Sequence, residues 1–500
     1  MPTPVLPTLA LAKTLPRGPL VLVVGLGEDG VHEVPAAVDT AYVTRFGSDV
    51  ATLAASVGAT AKAGHTRTLP GVDDVRVVVV GLGPSGSDVA ALRDAAASGV
   101  RQAGGLAAEK SAVSVAVSLG TTSVEAALAV ACGALLGTYA YAGVSSKASP
   151  AKVDLVTVIH DGATRTADGD QVADVASVLA TAVVTARDWV NVPANLLYPA
   201  TFAEEAQALA KGTRLSCEVL DDGQLAAQGY GGLMAVGGGS ARPPRLVRLT
   251  YRPRGAKTHL ALVGKGITFD TGGLNLKTAD GMYTMKCDMA GAAAVLAATW
   301  AIAKLGLKVK VTAYAAMAEN MPSGSAYRPS DVLTIFGGTT VENANSDAEG
   351  RLVVADALAR SNADSPDLVV DVATLTGAAV VALGERTAGV MATDDATAQR
   401  VLDAARLAGE PFWQLPIPAE TRAKLDSSVA DLRSSGTDRA GGALAAAAFL
   451  REFVDDGTPW AHLDIAGPAF RTGSAEGAFS TGGTGVAVTT LVELARSLAG

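Results

Sequence analysis

Short valine-rich runs alternate along this chain with longer alanine-rich stretches. Runs of the first kind occupy 20–24, 76–80, 113–119 and 153–159, and stretches of the second kind fill 88–102 and 123–137. β-branched runs suit strands and alanine suits helices, so the alternation predicts an α/β unit in roughly the first 165 residues. A long Ala/Val-rich stretch, 171–190, predicts a helix that ends near Asn191-Val192-Pro193 and connects this unit to the rest. Beyond it the pattern repeats on a larger scale. Strands are expected at 260–263, 309–313 and 368–372, and helices at 289–305, 352–359 and 440–453. The expected fold class is therefore α/β in two domains. A smaller N-terminal α/β domain spans 1–170, a connecting helix 171–195, and a larger domain 196–500 with a mostly parallel central sheet flanked by helices. In such sheets the ligands come from loops at the strand ends.

Composition refines this. The chain has 500 residues, enough for two or three domains, and is 49% hydrophobic but only 4% aromatic, so its core must be built mainly from Ala, Val and Leu. A net charge of −9 gives no overall attraction to nucleic acid or to an anionic membrane. Three well-separated cysteines, Cys132, Cys217 and Cys287, form no disulfide framework and suit reduced thiols in a cytoplasmic protein. No signal peptide is expected at Met1-Pro2-Thr3-Pro4, and no apolar run of 18 or more residues suggests a membrane span.

Two strings have the spacing of a dinucleotide fingerprint, Gly25-Leu26-Gly27-Glu28-Asp29-Gly30 and Gly81-Leu82-Gly83-Pro84-Ser85-Gly86. The first carries two acids in the loop that would have to hold pyrophosphate. The strand after the second ends in Gly120-Thr121-Thr122, without an acid for a ribose. Ordinary strand-to-helix turns are the better reading.

The chemistry concentrates further on. In Asn345-Ser346-Asp347-Ala348-Glu349-Gly350-Arg351-Leu352, two carboxylates and a guanidinium alternate with small residues. An extended segment would point Asp347, Glu349 and Arg351 to one side. Upstream, Lys265, Asp270, Lys277 and Asp288 add two acids and two lysines, within Val263-Gly264-Lys265-Gly266 and Met285-Lys286-Cys287-Asp288 among other stretches. Four carboxylates in one place are costly without cations and can hold two divalent ions. Beside two dications Lys265 would be driven toward its neutral form and could act as a nitrogen ligand, while Lys277 could stay charged. Asp288 also precedes a predicted helix and could be its N-cap. Cys287 has no histidine partner in its motif and reads as a packing thiol. None of the five histidines makes a His-x-x-x-His pair or sits among the acids.

These motifs resemble the leucine aminopeptidase (cytosol aminopeptidase) family, bacterial type. So do Glu319-Asn320-Met321-Pro322-Ser323-Gly324, Ala373-Thr374-Leu375-Thr376-Gly377-Ala378 and His462-Leu463-Asp464-Ile465-Ala466-Gly467. The likeness covers roughly 185–495 and is weak before that, where the family varies. Ser346 stands where the family usually has threonine, and Ser330 where it has glycine. The resemblance implies a metal-dependent aminopeptidase that hydrolyses the N-terminal residue from peptides. It implies two divalent ions per subunit, manganese or zinc, on Lys265, Asp270, Asp288, Asp347 and Glu349, with Asp270 and Glu349 bridging. Lys277 would stabilise the oxyanion, and Arg351 would hold a bicarbonate acting as general base. Met285, Thr374, Leu375, Gly377 and Ala466 would line the pocket for the first side chain, and His462 would help shape the surroundings. Peptides with a free N-terminus are the implied substrates and a homohexamer the implied assembly. Some bacterial members bind DNA as architectural factors; the acidic balance argues against that alternative here.

Overall fold

The expected runs become strands for a simple reason: β-branched side chains pack well on both faces of a covered sheet. The computed structural model describes residues 6–84, 86, 88–108, 111–121, 123–145, 152–160, 166–436, 438 and 440–499. Contacts divide the chain into two compact units. One comprises residues up to Val184 together with Thr472–Thr481, and the other comprises Thr185–Arg471 and Gly482–Gly500. The division falls inside the helix Thr166–Asn191.

In the first unit, Thr8–Ala12, Val153–Ile159, Val113–Ser118, Leu20–Gly27 and Val75–Gly81 lie side by side in that order, all parallel. Thr66–Thr68 closes the far edge antiparallel. Helices Val89–Gly104 and Val124–Gly137 stand where the pattern puts them. The strand Thr8–Ala12 is not predicted, because Leu and Ala alternate there without a β-branched run. The first glycine string is not a strand-to-helix turn either. It is a hairpin, in which Leu20–Gly27 turns back into Gly30–His32 with Gly27 facing Gly30. Residues 472–481 also belong to this unit: Arg101 Nη2 donates to the Gly477 carbonyl (2.7 Å) and the Ala478 amide to Asp94 Oδ1 (3.0 Å).

The second unit holds an eight-stranded sheet. Its centre is parallel, in the order Trp460–Asp464, Leu368–Ala373, His259–Asp270, Lys310–Asn320. On one side Ala388–Ala392 runs antiparallel to Trp460–Asp464, with Phe412–Gln414 at the edge; on the other lie Arg245–Tyr251 and Leu215–Leu220. The mostly parallel sheet and its three predicted strands are therefore present. Helices Ala290–Leu305, Glu349–Asn362 and Gly442–Arg451 occupy the predicted stretches.

Ala290–Leu305 illustrates how an alanine core packs. Most of its buried side chains are alanine, with Val295, Leu296, Thr299 and Ile302 among them, so the helix lies close on the sheet. At Gly291 a Cβ would fall 2.0 Å from the Val372 carbonyl oxygen, so only glycine permits this approach. With the turn before it, Met285–Leu305 is long and apolar enough to cross a membrane by length and composition, although Lys286, Asp288 and Lys304 leave no unbroken apolar run of 18 residues within it. Its most apolar window is nonetheless 83% buried inside the protein, as a core helix is.

Candidate metal centre

The acids gather where the four parallel strands end. Asp270 and Asn320 are the last residues of their strands, Thr374 follows Leu368–Ala373, and Asp464 closes Trp460–Asp464. Strand ends expose side chains that the sheet itself holds rigid, which suits a site needing tight geometry.

Lys265 lies inside the central strand and is buried. Its ammonium donates to Asp288 Oδ1 (2.8 Å) and to the Thr374 carbonyl (3.0 Å), and pairs with Glu349 Oε1 at 2.8 Å. Burial depresses its pKa, but the pull of Asp288, Glu349 and Asp270 wins and holds it above the ordinary lysine value. This is opposite to the direction expected beside dications, because here its charged neighbours are carboxylates. Lys277 pairs with Asp270 Oδ2 (2.8 Å) and Asp347 Oδ1 (2.6 Å), and is likewise held charged: the attraction of Asp270 outweighs its burial.

The acids behave accordingly. Burial raises Asp270, and the Glu349 charge adds to it against Lys277 and Lys265. Asp288 is raised well above the usual carboxylate range by burial, with Lys265 opposing. Burial raises Asp347 too, with Lys277 opposing. Carboxylate oxygens of Asp270, Asp347 and Glu349 lie within 4.8 Å of one another. Two oxygens of the site, Asp288 Oδ2 and Glu349 Oε2, are buried without any hydrogen-bond partner.

Asp347 and Glu349 meet Asp270 by a route different from the expected one. The segment is not extended. Ser346–Ala348 forms a single 3-10 turn that runs straight into the helix Glu349–Asn362. Asn345 caps the turn, its side chain accepting from the Asp347 amide (2.9 Å). The helix thus begins three residues before the predicted 352. At about 100° per residue, Arg351 sits roughly 200° around the helix from Glu349, so the two do not project together. Arg351 is buried, and its Nη1 donates to the Ser434 carbonyl at 2.7 Å. Its Nε has no partner, and burial lowers its pKa to about 10 against the pull of Glu349 and Asp464. Gly350, between them, leaves room for Lys265: a Cβ there would lie 2.4 Å from Lys265 Cε.

Asp288 is not an N-cap. Met289 takes that position before Ala290, and Asp288 Oδ1 accepts instead from Lys265 and from Thr374 Oγ1 (2.7 Å). Cys287 is buried, its thiol pushed up to about 12 by burial, as a packing residue's would be.

Three residues without an expected ligand role hold the frame. Asn320 Nδ2 donates to Asp270 Oδ1 (2.8 Å) and to the Ser346 carbonyl (3.0 Å). Ser346 is fully buried; its hydroxyl donates to the Gly272 carbonyl (2.7 Å) and accepts from the Asn275 amide (2.8 Å), stitching the two acid-bearing loops together. Asp464 accepts from the amides of Leu375 (3.2 Å) and Ala466 (3.1 Å) and from Thr376 Oγ1 (2.7 Å). Beside it, Asp371 accepts from the Trp460 indole (2.8 Å) and pairs with His462 Nδ1 (2.6 Å). The available signal was a strand reading Trp-Ala-His-Leu-Asp, with polar groups at alternate positions of an otherwise apolar segment.

Of the expected pocket residues, Thr374 joins the acids directly. Met285 is half-buried and its carbonyl accepts from the Asp288 amide (3.3 Å). Leu375 and Ala466 are half-buried and share Asp464. Gly377 is exposed at the start of the helix Gly377–Leu383. A separate groove beside Trp413, Asp395 and Arg406 contains none of these residues.

Comparison with known proteins adds to this geometry. A model of the cytosol aminopeptidase family's catalytic domain matches residues 184–492, and one of that family's N-terminal domain matches 21–148. A probable cytosol aminopeptidase of Cutibacterium acnes is 52% identical, covering 93% of this chain and 90% of its own length. Another, of Streptomyces griseus subsp. griseus, is 48% identical, covering 98% and 97%. Among solved structures, the bottromycin maturation enzyme BotP in complex with Mn superposes with a TM-score of 0.83 at 40% identity, over 96% of this chain and 99% of that one. A tomato leucine aminopeptidase mutant gives 0.87 at 30% identity, over 98% and 96%.

Proposed function

The chain belongs to the cytosol aminopeptidase family and is a peptidase; from that premise we propose that it is a leucyl-type aminopeptidase of the cytoplasm, removing the N-terminal residue of peptides with two divalent metal ions. The observation that carries the metal reading is the set of acids itself. Carboxylate oxygens of Asp270, Asp347 and Glu349 converge within 4.8 Å, and Asp288 Oδ2 and Glu349 Oε2 are buried without partners. Buried orphan carboxylate oxygens are costly, and acids whose pKa values burial has raised must hold protons or cations. Two lysines do not neutralise four carboxylates, so the donor set fits hard divalent cations.

Lys265, Asp270, Asp288, Asp347 and Glu349 would hold the two ions, manganese or zinc. Bound there, they would supply a water acidic enough to attack near neutral pH and an acceptor for the substrate's free amine. The chain's own groups do the rest. Lys277 has an ammonium held charged and 19% of its side chain exposed, so it can face the carbonyl oxygen as charge develops on it. Arg351 is anchored by Ser434 and keeps Nε for a small oxyanion; bicarbonate held there would provide a general base. Thr374, Leu375 and Ala466, with Met285 and Gly377, would form the walls for the first side chain. A homohexamer completes the reading.

The test is a leucyl anilide with and without a blocked amine. Only the free amine should be cleaved, chelation should abolish the activity, and manganese or zinc should restore it. Full activity in metal-free protein would refute the two-metal reading.

A further inference from the structure

Asp464 is buried, carries no role in the chemistry described above, and yet makes three hydrogen bonds to two loops of the site's frame. Its Oδ1 accepts from the Leu375 amide (3.2 Å) and from the Ala466 amide (3.1 Å), and its Oδ2 from Thr376 Oγ1 (2.7 Å). Leu375 and Thr376 continue from Thr374, whose hydroxyl donates to Asp288 and whose carbonyl accepts from Lys265. Ala466 lies on the other side, after the neighbouring strand. One carboxylate therefore ties together two loops that leave adjacent parallel strands, and one of those loops is bonded to Asp288 and Lys265. The strand below it is itself pinned. Trp460, His462 and Asp464 alternate on Trp460–Asp464 and so share a face. Asp371, register partner of His462, holds both the imidazole and the indole.

We propose that Asp464 is a positioning residue that sets the spacing between the 374–376 loop and Ala466, and with it the width of the pocket for the substrate's first side chain. This rests on the aminopeptidase reading for its kinetic consequence but not for its structural one. Asp464 acts here through its shape and its acceptor oxygens. Oδ1 alone receives both backbone amides, and Thr376 Oγ1 can reverse its role toward an amide nitrogen. Asparagine should therefore replace it, and alanine should not.

The experiment compares Asp464→Asn and Asp464→Ala in the full-length, metal-loaded protein by two readouts. The first is hydrogen exchange, followed by mass spectrometry, of the segments covering 374–379 and 465–469. Alanine should speed exchange in both segments and asparagine in neither. The second is kcat/KM across leucyl, methionyl and alanyl anilides. Asp464→Ala should lower kcat/KM for the leucyl substrate by about 10²-fold, the cost of a misplaced wall, and flatten the order of preference. Asp464→Asn should stay within about threefold and keep that order, because the acceptor oxygen survives. If both variants exchange and react like the unmodified protein, the proposal fails. It fails equally if asparagine is as damaging as alanine, since the charge and not the bonding would then matter. An unmodified protein that cleaves none of the anilides would overturn the aminopeptidase reading instead; the exchange data would still decide the positioning role.

Discussion

Gly350→Ala sets two known effects against each other at the centre of the site. Gly350 is the second residue of the helix Glu349–Asn362, where alanine would ordinarily stabilise by at most about 1 kcal/mol. A Cβ at this position, however, would lie 2.4 Å from Lys265 Cε, 2.6 Å from its Nζ and 2.7 Å from its Cδ. Relaxed contacts need about 3.5 Å, so the end of Lys265 must retreat by about 1 Å. Lys265 is only 3% exposed, and its ammonium is shared among Asp288, Glu349 and the Thr374 carbonyl at 2.8, 2.8 and 3.0 Å. A retreat forfeits at least one of these bonds, and each bond to a charged group is worth about 1.5–3 kcal/mol. The clash therefore outweighs the helix gain, and the net destabilisation should be about 1–2 kcal/mol. Activity should suffer more, by about 10²-fold in kcat/KM, because Lys265 is one of the proposed ligands. Urea unfolding and leucyl-anilide kinetics measure the two effects. Gly223→Ala is the control: Gly223 is an exposed helical residue whose Cβ would lie 3.4 Å from the nearest atom, so that variant should be at least as stable as the unmodified protein. If Gly350→Ala matches this control in stability and retains full activity, the packing of Lys265 does not constrain the site.

Three further outcomes follow from other residues. Arg351→Ala should retain both metals by elemental analysis but lose about 10²–10⁴-fold in rate, and added bicarbonate should help it less than the unmodified protein; loss of a metal would refute the anion role. Ser330 has φ of 75°, a left-handed conformation unfavourable for serine, so Ser330→Gly should raise stability by about 1 kcal/mol, read as an increase in the urea midpoint. Asp356 is fully buried, its carboxylate accepting from the amides of Leu233 (2.7 Å) and Phe336 (2.8 Å), and burial raises its pKa from 3.8 to about 7. The folded state then binds this proton more tightly than the unfolded state. Its contribution to stability is thus fully present below about 4 and is lost as pH rises toward 7. Asp356→Asn cannot titrate, so its urea midpoint should fall less than that of the unmodified protein over that interval.

Much of the fold was legible in the chain. Valine runs and alanine stretches mark the parallel sheet and its helices because these preferences act over a few neighbouring residues. Where that local signal is weak, the reading misses: Thr8–Ala12 has a single β-branched residue, Thr8, and the first glycine string turns into a hairpin that its spacing alone could not distinguish from a strand-to-helix turn. The candidate site was legible as a set of residues but not as a geometry. Alternation in Asp347, Glu349 and Arg351 suggested a strand, yet the Asn345 cap and the small residues Ser346 and Ala348 favour a tight turn into a helix. That turn brings the two acids together and sends the arginine to Ser434.

By itself, the sequence determined the α/β alternation and the inventory of acids, lysines and the arginine, since both are carried by residue type and short spacing. Only the tertiary structure decided which oxygens are left without partners, that Asn320 and Ser346 lock the two acid-bearing loops, that Asp464 joins two neighbouring loops, and that residues 472–481 pack with the first unit. These features depend on groups far apart in the chain. Their meeting is fixed by strand register and by burial, through which an unpaired polar group becomes costly, and neither is a property of any short stretch of sequence.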